Sequence, residues 1–142
     1  MPWIKSKEKD LKIRGLFGEK RKGTRMNKRK RGAAYEEIAA SYLENYGIHI
    51  IKRNYRIRQG EVDLIGEDAS HLIFFEVKYR KNNGYGAPYL AVSEGKKRKI
   101  STVSRHYLWY FPTNKQVRYD VVCICDTHIQ WYKNAFEYRG NW

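Results

Sequence analysis

The sequence predicts an α/β domain in which helices flank a mixed β-sheet, in the order α-β-β-β-α-β-β. Three observations predict this class. Residues 33–47 and 93–111 carry apolar side chains at helical spacing. Three strand-like runs within residues 49–80 are separated only by short turns, which indicates an antiparallel meander. A β-branched run, residues 117–125, follows the second helix, and a strand that arrives after a helical crossover can lie parallel to its neighbour.

Local signals place the first helix and the meander. AAYEEIAASYLENYG has an apolar stripe and ends at Gly47, a natural helix stop. HIIKRNYRI, residues 49–57, is the first predicted strand, and residues 58–60 form the turn into EVDLIG. A second turn at residues 67–70 leads into HLIFFEVKYR, residues 71–80. We therefore expect three antiparallel strands that are neighbours in chain order.

The second half begins with a Gly/Asn-rich loop, KNNGYGAP, at residues 81–88. The second helix is predicted from about Ser93 and ends before Pro112, with a basic first turn and an apolar side. VRYDVVCIC is then a central strand because of its β-branched composition. IQWYKNAFEY, residues 129–138, is a last strand at an edge.

Positive charge is concentrated at the amino-terminal end of the chain. The formal net charge is +14, and residues 1–32 supply +10 of it, with 13 Lys or Arg against 3 Asp or Glu. We expect residues 1–32 to form a basic, disordered tail and residues 33–142 to form the folded domain. Met26 opens a plausible native start, so residues 1–25 are candidates for an upstream extension. This excess predicts an anionic partner such as nucleic acid or an anionic membrane surface.

Apolar runs and cysteines indicate the compartment. No segment reaches the roughly 18 consecutive apolar residues that a transmembrane helix needs, and the amino terminus lacks the apolar core of a secretory signal. Cys123 and Cys125 are the only cysteines. Two reduced cysteines in a basic chain of this kind fit the cytoplasm, and we expect no membrane partner.

Charged residues interrupt the most hydrophobic segment, GEVDLIGEDASHLIFFEVKYR. Strand alternation predicts that Asp63 points away from the face shared by Val62 and Leu64. It also places Glu76 and Lys78 on one face, one pleat apart, or roughly 6.6 Å at about 3.3 Å per residue. If the two strands pair across their turn, Asp63 and Glu76 can lie close together.

Two carboxylates held close repel each other, and each takes up a proton unless a cation joins them. Oxygen ligands suit Mg²⁺ or Mn²⁺, and Mg²⁺ keeps several waters and binds phosphate oxygens of a substrate. A lysine beside such a cluster can orient a water or neutralise charge that develops on phosphorus. The pattern is compatible with metal-assisted phosphodiester hydrolysis, but a D…E-x-K pattern is short and often occurs by chance. From alternation alone, a solvated face on which Lys78 forms a surface salt bridge with Asp63 and Glu76 is the commoner explanation.

Longer motifs surround this pattern. They are E-x-x-A-x-x-Y-L at 36–43, RNYR at 53–56, GEVDLI at 60–65, FFEVKYR at 74–80, AV-x-x-x-K at 91–96 and RYDVV at 118–122. In this order they resemble the YraN-like family of small bacterial proteins, which is similar to archaeal Holliday-junction resolvases of the PD-(D/E)xK nuclease superfamily. The resemblance implies a restriction-endonuclease-like core, in which a mixed sheet has a helix on each side.

The resemblance also implies residue roles. Asp63 and Glu76 would be ligands of Mg²⁺ or Mn²⁺, and Lys78 would be the catalytic lysine. Glu36, on the first helix, matches the additional helical glutamate of the resolvase-like branch and would complete the catalytic, metal-binding cluster. Tyr35 stands where the family usually has Gly, and the adjacent Glu37 makes the choice of glutamate ambiguous.

Helical spacing favours Glu36 over its neighbour, because Glu36 aligns with Ala39, Ala40 and Leu43 at i+3, i+4 and i+7. Glu61 belongs to the motif, and we expect it beside the site or in strand pairing. Asp120 is expected to anchor an arginine near position 118 or a strand end.

Several further residues are candidates for nucleic-acid binding. Arg80 shares the predicted face of Lys78 and could hold a phosphate or form a structural ion pair. Lys96 and Lys97 open the second helix and could contact a phosphate or form a solvated face. Five aromatic residues could stack on bases, although their spacing is more typical of core positions. They are Tyr55, Tyr85, Tyr89, Trp109 and Trp131.

We therefore expect a Mg²⁺-dependent endonuclease that acts on DNA, with branched or junction DNA as the substrate class that the resemblance implies. A two-fold symmetric junction would call for a homodimer. The alternative is a nucleic-acid-binding module of the same fold without catalysis. The basic tail and basic helix serve both hypotheses, whereas the complete acidic set favours the nuclease.

Overall fold

The computed structural model describes residues 28–80, 92–126 and 128–140. Seven elements follow in the predicted order. They are α1 (Lys28–Asn45), β1 (His49–Ile57), β2 (Gly60–Glu67), β3 (His71–Arg80), α2 (Glu94–Tyr110), β4 (Gln116–Cys125) and β5 (Ile129–Phe136). The predicted α-β-β-β-α-β-β order is confirmed. α1 begins before position 33, so residues 28–32, which we assigned to the tail, are helical.

Some sequence predictions fall outside the described residues. These are the disorder expected for residues 1–27, the start at Met26 and the loop at residues 81–88. The base-stacking candidates Tyr85 and Tyr89 fall outside them as well.

The five strands form one mixed sheet whose spatial order is β1-β2-β3-β4-β5. β1, β2 and β3 are antiparallel neighbours, and β4 pairs with β5 in the same way. β3 and β4 are parallel over ten residue pairs. A parallel pair needs a long crossover connection, which here contains α2. The expected meander, parallel fourth strand and edge position of the last strand are all confirmed.

The sheet separates two hydrophobic cores. The α1-side core contains buried residues that include Ala39, Ala40, Leu43, Leu64, Ile73, Phe75, Val122 and Ile124. The α2-side core contains Val62, Ile65, Leu72, Phe74, Ile100, Val103, Tyr107, Tyr119 and Val121. Phe74 and Phe75 are consecutive and fall in different cores, as the two-residue period of a strand requires. Each helix therefore covers one face of the sheet.

The alternation of β2 breaks at Asp63. Val62 packs into the α2-side core, whereas Leu64 packs into the α1-side core. The expectation that these two residues share one face is therefore wrong. The register places Asp63 opposite Asn54 of β1, and Asn54 has a φ of 52°, a conformation that Asn adopts more readily than most residues. The irregularity thus lies in both strands at the same place.

Side-chain hydrogen bonds fix the start of α2 and connect β4 to β5. Ser93 caps α2, because its hydroxyl accepts a hydrogen bond from the Lys96 backbone N–H at 3.1 Å. On β4, the buried Asp120 accepts two hydrogen bonds from Arg118 at 2.8 Å and one from Trp131 Nε1 at 2.9 Å. The expectation that Asp120 anchors an arginine is confirmed, and this carboxylate is engaged in joining β4 to β5.

None of the helices in the described part of the chain has the length and apolar character needed to cross a bilayer.

Gly66 allows β2 to pass close to the segment after α1. A Cβ at this position would lie 2.7 Å from Ile48 Cγ2 and 3.1 Å from the His49 carbonyl oxygen. We predict that Gly66→Ala lowers the free energy of unfolding by about 1–3 kcal/mol, because a packed core resists added volume. Urea unfolding curves measure the change.

Gly95→Ala is the matched control for this substitution. A Cβ at Gly95 meets only Ser93 Oγ, at 4.0 Å, and alanine is favoured over glycine in a helix by roughly 0.5–1 kcal/mol. The control should therefore leave stability unchanged or raise it. A Gly66→Ala variant as stable as Gly95→Ala would contradict the packing argument.

Candidate active site

Asp63 lies where β2 and β3 stop pairing. Their ladder runs from Glu67–Leu72 to Leu64–Phe75 and ends there. At the next position the Asp63 carboxylate replaces the backbone ladder, because its Oδ2 accepts the Val77 backbone N–H at 2.8 Å. Only 8% of Asp63 is exposed. The side chain is therefore held in the gap between the two strands.

Glu76 occupies the opposite strand at the same gap. It is 3% exposed, and its Oε1 lies 3.3 Å from Lys78 Nζ and 3.7 Å from Lys96 Nζ. Its Oε2 is buried and has no hydrogen-bond partner among the described residues. Buried carboxylate oxygens are rarely left without a partner. This oxygen is therefore available to a ligand or cation.

Burial sets the protonation of these two carboxylates. The pKa of Glu76 is raised from 4.5 to about 7, first by burial and then by the negative charge of Asp63, while Lys96 and Lys78 oppose the rise. Burial also raises the pKa of Asp63, against the Val77 N–H and Lys96. Two facing acceptors must share a proton or a cation. The pair is thus adapted to bind positive charge.

Glu36 approaches Asp63 from α1. Its pKa is raised from 4.5 to about 7 by burial and by the charge of Asp63. Glu37 instead forms an ion pair with Arg53 on the surface, which agrees with the choice of Glu36 from helical spacing. Glu61 is bound by Arg56, whose Nη2 lies 2.8 Å from its Oε2.

The donor set suits a hard divalent cation but is incomplete as it stands. Among residues 28–80, 92–126 and 128–140, no three His, Cys, Asp or Glu side chains are arranged as a metal-binding group. Mg²⁺ nonetheless binds through one or two carboxylates, with waters and substrate phosphates as its other ligands. Asp63 and the unpartnered Glu76 Oε2 supply such a pair. The residues present therefore fit Mg²⁺ or Mn²⁺.

The two lysines at the start of α2, Lys96 and Lys97, have different surroundings in the structure. Lys96 points toward the sheet and contacts Glu76, whereas Lys97 donates to Glu94 Oε1 at 3.1 Å and lies over the Phe136 ring at 5.9 Å. Lys96 is thus a site residue that sequence reasoning placed only among nucleic-acid contacts. Two sequence signals were available: Lys96 ends the AV-x-x-x-K motif, and it lies four residues before Ile100, which is buried.

The other residues predicted to bind nucleic acid lie in different parts of the structure. Arg80, the last residue of β3, pairs in register with Cys125. Burial raises the pKa of the Cys123 thiol, and the positive charge of Arg80 opposes a small part of that rise. Tyr55 and Trp131 pack against the two cores, as expected. Trp109 is 82% exposed, so the expectation that it is a core residue is wrong.

Known sequences match most of the chain. The model of a family described as "Uncharacterised protein family UPF0102" matches residues 35–124. A "UPF0102 protein" of Lachnoclostridium phytofermentans is 39% identical over 118 residues, which cover 82% of this chain and 100% of the relative. A "UPF0102 protein" of Marinobacter nauticus is 42% identical over 123 residues, covering 80% and 97%. The matched region contains Glu36, Asp63, Glu76 and both site lysines.

The raised pKa of Glu76 predicts a pH-dependent stability. Between pH 4.5 and about 7 the folded chain holds a proton that the unfolded chain has released, so the free energy of unfolding falls as pH rises. Glu76→Gln removes this dependence. We predict that the variant matches wild type near pH 4 and is more stable by on the order of 1–3 kcal/mol at pH 8.

Urea unfolding from pH 4 to pH 8 in a chelator measures this difference. Glu137→Gln removes one exposed carboxylate and serves as the control for net charge. A stability difference between Glu76→Gln and wild type that shrinks with rising pH would show that the lysines, and not burial, dominate at Glu76.

Proposed function

We propose that this chain, which belongs to the uncharacterised protein family UPF0102, hydrolyses phosphodiester bonds of DNA with Mg²⁺ or Mn²⁺. The membership agrees with the YraN-like family recognised from the motifs. One observation carries the proposal. Two buried carboxylates, Asp63 and Glu76, meet at a gap between strands, and one oxygen of Glu76 has no partner among the described residues. A purely structural pair would be expected to be fully paired.

Asp63 and Glu76 would hold the divalent cation, with Glu36 beside Asp63. A bound Mg²⁺ or Mn²⁺ would supply Lewis-acid stabilisation of a phosphoryl oxygen and would make a bound water more acidic. The Val77 N–H fixes the orientation of the Asp63 carboxylate. Because burial disfavours the ionised acids, a cation would relieve a cost that the folded chain otherwise bears.

Lys78 and Lys96 would act on the phosphate. Both ammonium groups lie beside Glu76 Oε1, and neither is fully buried. In hydrolysis a water oxygen forms a bond to phosphorus while one ester P–O bond breaks, and negative charge accumulates on the phosphoryl oxygens. Preorganised cations beside those oxygens stabilise that charge. Lys78 would also orient the attacking water.

Glu36 would take a position at the edge of the site. Its pKa of about 7 means that its carboxyl exchanges a proton near neutral pH. Such a group can accept the proton of an attacking water or bind a second cation through water. Its place on α1 allows it to approach Asp63 from the layer opposite Lys96.

DNA is the substrate class that charge and family resemblance favour together. The chain has a net charge of +14, of which residues 1–32 supply +10, and positive charge attracts the phosphate backbone. Branched or junction DNA is the finer proposal, and it rests on the likeness to junction resolvases. A homodimer would then match the two-fold symmetry of a junction, and the reaction would take place in the cytoplasm.

Metal binding is testable without activity. We predict that Mn²⁺ or Mg²⁺, at a free concentration of about 100 times its Kd, raises the Tm of the full chain by roughly 5–10 °C. The increase should grow from pH 6 to pH 8, because the cation competes with the proton on Glu76. Asp63→Asn and Glu76→Gln should lose the increase, and Glu137→Gln should keep it. An equal increase in all four proteins would refute a site at these carboxylates.

Catalysis is testable on labelled linear, flapped, single-stranded and four-way DNA with Mg²⁺ or Mn²⁺. We predict cleavage by the wild type and a loss on the order of 100-fold or more in Asp63→Ala and Lys78→Ala. Lys96→Ala should also lose activity. Lys97→Ala is its matched control, because Lys97 pairs with Glu94 and not with Glu76.

Two outcomes would contradict the mechanism. Equal residual cleavage in wild type, Asp63→Ala and Lys78→Ala would indicate a contaminating nuclease. Salt-dependent DNA binding by all the proteins with cleavage by none would favour the non-catalytic binding module.

A further inference from the structure

The outer side of α2 carries a surface that the proposed chemistry does not use. Arg98, Thr102, Arg105 and Trp109 follow at i, i+4, i+7 and i+11, so they form one stripe along the helix. Arg98, Arg105 and Trp109 are exposed. After Glu94 the helix contains no acidic residue. The stripe is therefore positively charged along its length and aromatic at its carboxyl end.

The aromatic end is unusually open to solvent. Trp109 is 82% exposed, Tyr110 63% and Phe111 49%. The Phe111 ring stacks on Tyr107 at 4.8 Å, and the Tyr110 ring lies 5.0 Å from His106. A concavity of about 590 Å³ lies at this end, lined in part by Arg105, Trp109 and Tyr110. Exposed large aromatic side chains grouped in this way mark binding surfaces.

The charge of the stripe decides whether a second copy of the chain or a nucleic acid fits this surface. Two copies of the stripe placed face to face would oppose arginines to arginines, with no acidic side chain on the stripe to compensate. A nucleic-acid strand offers phosphates to Arg98 and Arg105 and flat bases to the exposed rings. Base stacking on aromatic side chains is tolerant of sequence and needs bases that are not paired.

We propose that this face of α2 binds an unpaired segment of nucleic acid, with bases stacked on Trp109 and Tyr110. The inference rests on the proposed nuclease function for its link to a substrate. Lys96 contacts Glu76 in the first turn of α2, and Trp109 follows 13 residues later. At 1.5 Å per residue this is about 20 Å along the helix axis, which equals roughly six base-pair steps of a B-form duplex at an axial rise of about 3.4 Å each.

The substrate class follows from that distance. A duplex that is cut beside Lys96 would reach the aromatic end with paired bases, which cannot stack on side chains. A flap, fork or junction arm with unpaired bases about six nucleotides from the attacked phosphate would engage both sites. The surface thus selects for DNA that changes from duplex to single strand over the length of α2.

The test is binding of fluorescein-labelled oligo(dT) and of a blunt duplex to the full chain in a chelator, measured by anisotropy. Trp109→Ala should weaken oligo(dT) binding by about 5- to 100-fold and change duplex binding less than about twofold. Tyr46→Ala is the control, because Tyr46 is 41% exposed and lies just after α1. It should leave both affinities unchanged. Equal oligo(dT) affinity in Trp109→Ala and wild type would overturn the inference.

Two further measurements separate folding and self-association from base stacking. Trp109→Phe keeps a ring and should retain most of the oligo(dT) affinity, whereas a merely misfolded surface would lose it. Sedimentation of Trp109→Ala reports the oligomeric state. A wild-type dimer that becomes monomeric in Trp109→Ala, with oligo(dT) binding intact, would assign the surface to self-association and overturn the inference.

The outcome for the surface is independent of the outcome for catalysis. Trp109-dependent binding by a protein that cuts no DNA would uphold the surface and refute the nuclease. Cleavage of flapped and forked DNA that depends on Asp63 but is unchanged in Trp109→Ala would support the nuclease and overturn the inference about the surface. A wild type that cuts a fork whose unpaired arm begins about six nucleotides from the cleaved bond faster than it cuts a blunt duplex, with the preference lost in Trp109→Ala, would support both.

Discussion

The hydrogen bond from the Val77 backbone N–H to Asp63 Oδ2 is the contact on which the rest of the site depends. β2 and β3 stop pairing after Leu64 and Phe75, which would leave a backbone donor without a partner inside the sheet. A buried donor without a partner is costly, and the Asp63 side chain satisfies it. The same bond brings a carboxylate into the sheet beside Glu76. One hydrogen bond thus both satisfies the backbone donor at the end of the ladder and places the Asp63 carboxylate beside Glu76.

Burying this pair opposes folding, and the neighbouring elements offset the cost only partly. Lys78 and Lys96 both contact Glu76, yet burial and Asp63 still raise the pKa of Glu76 to about 7. A sequence selected for stability alone would gain from apolar residues here. Proteins retain such unfavourable groups mainly where a ligand completes them. A divalent cation between the carboxylates and a phosphate beside the lysines would be that ligand.

α2 connects this site to a second surface. Its inward face contributes Lys96 to the acidic pair and Val103 to the α2-side core, while its outward face carries Arg105 and Trp109. Because a helix is rigid over four turns, the spacing between the two ends is fixed by the chain itself. In the proposed function, this one helix sets both where a strand is cut and where its unpaired bases are held.

The sequence by itself determined the order of the elements and the two carboxylates of the acidic pair, because periodicity, turns and motifs are local. It predicted Glu36, Asp63, Glu76 and Lys78 as site residues, and the structure places these side chains near one another. Only tertiary structure decided the rest. Alternation cannot reveal that β2 changes face at Asp63, since that break depends on pairing with β1 and β3. Nor can composition separate Lys96 from Lys97 or show Trp109 exposed, because helix orientation on the sheet determines what each side chain meets.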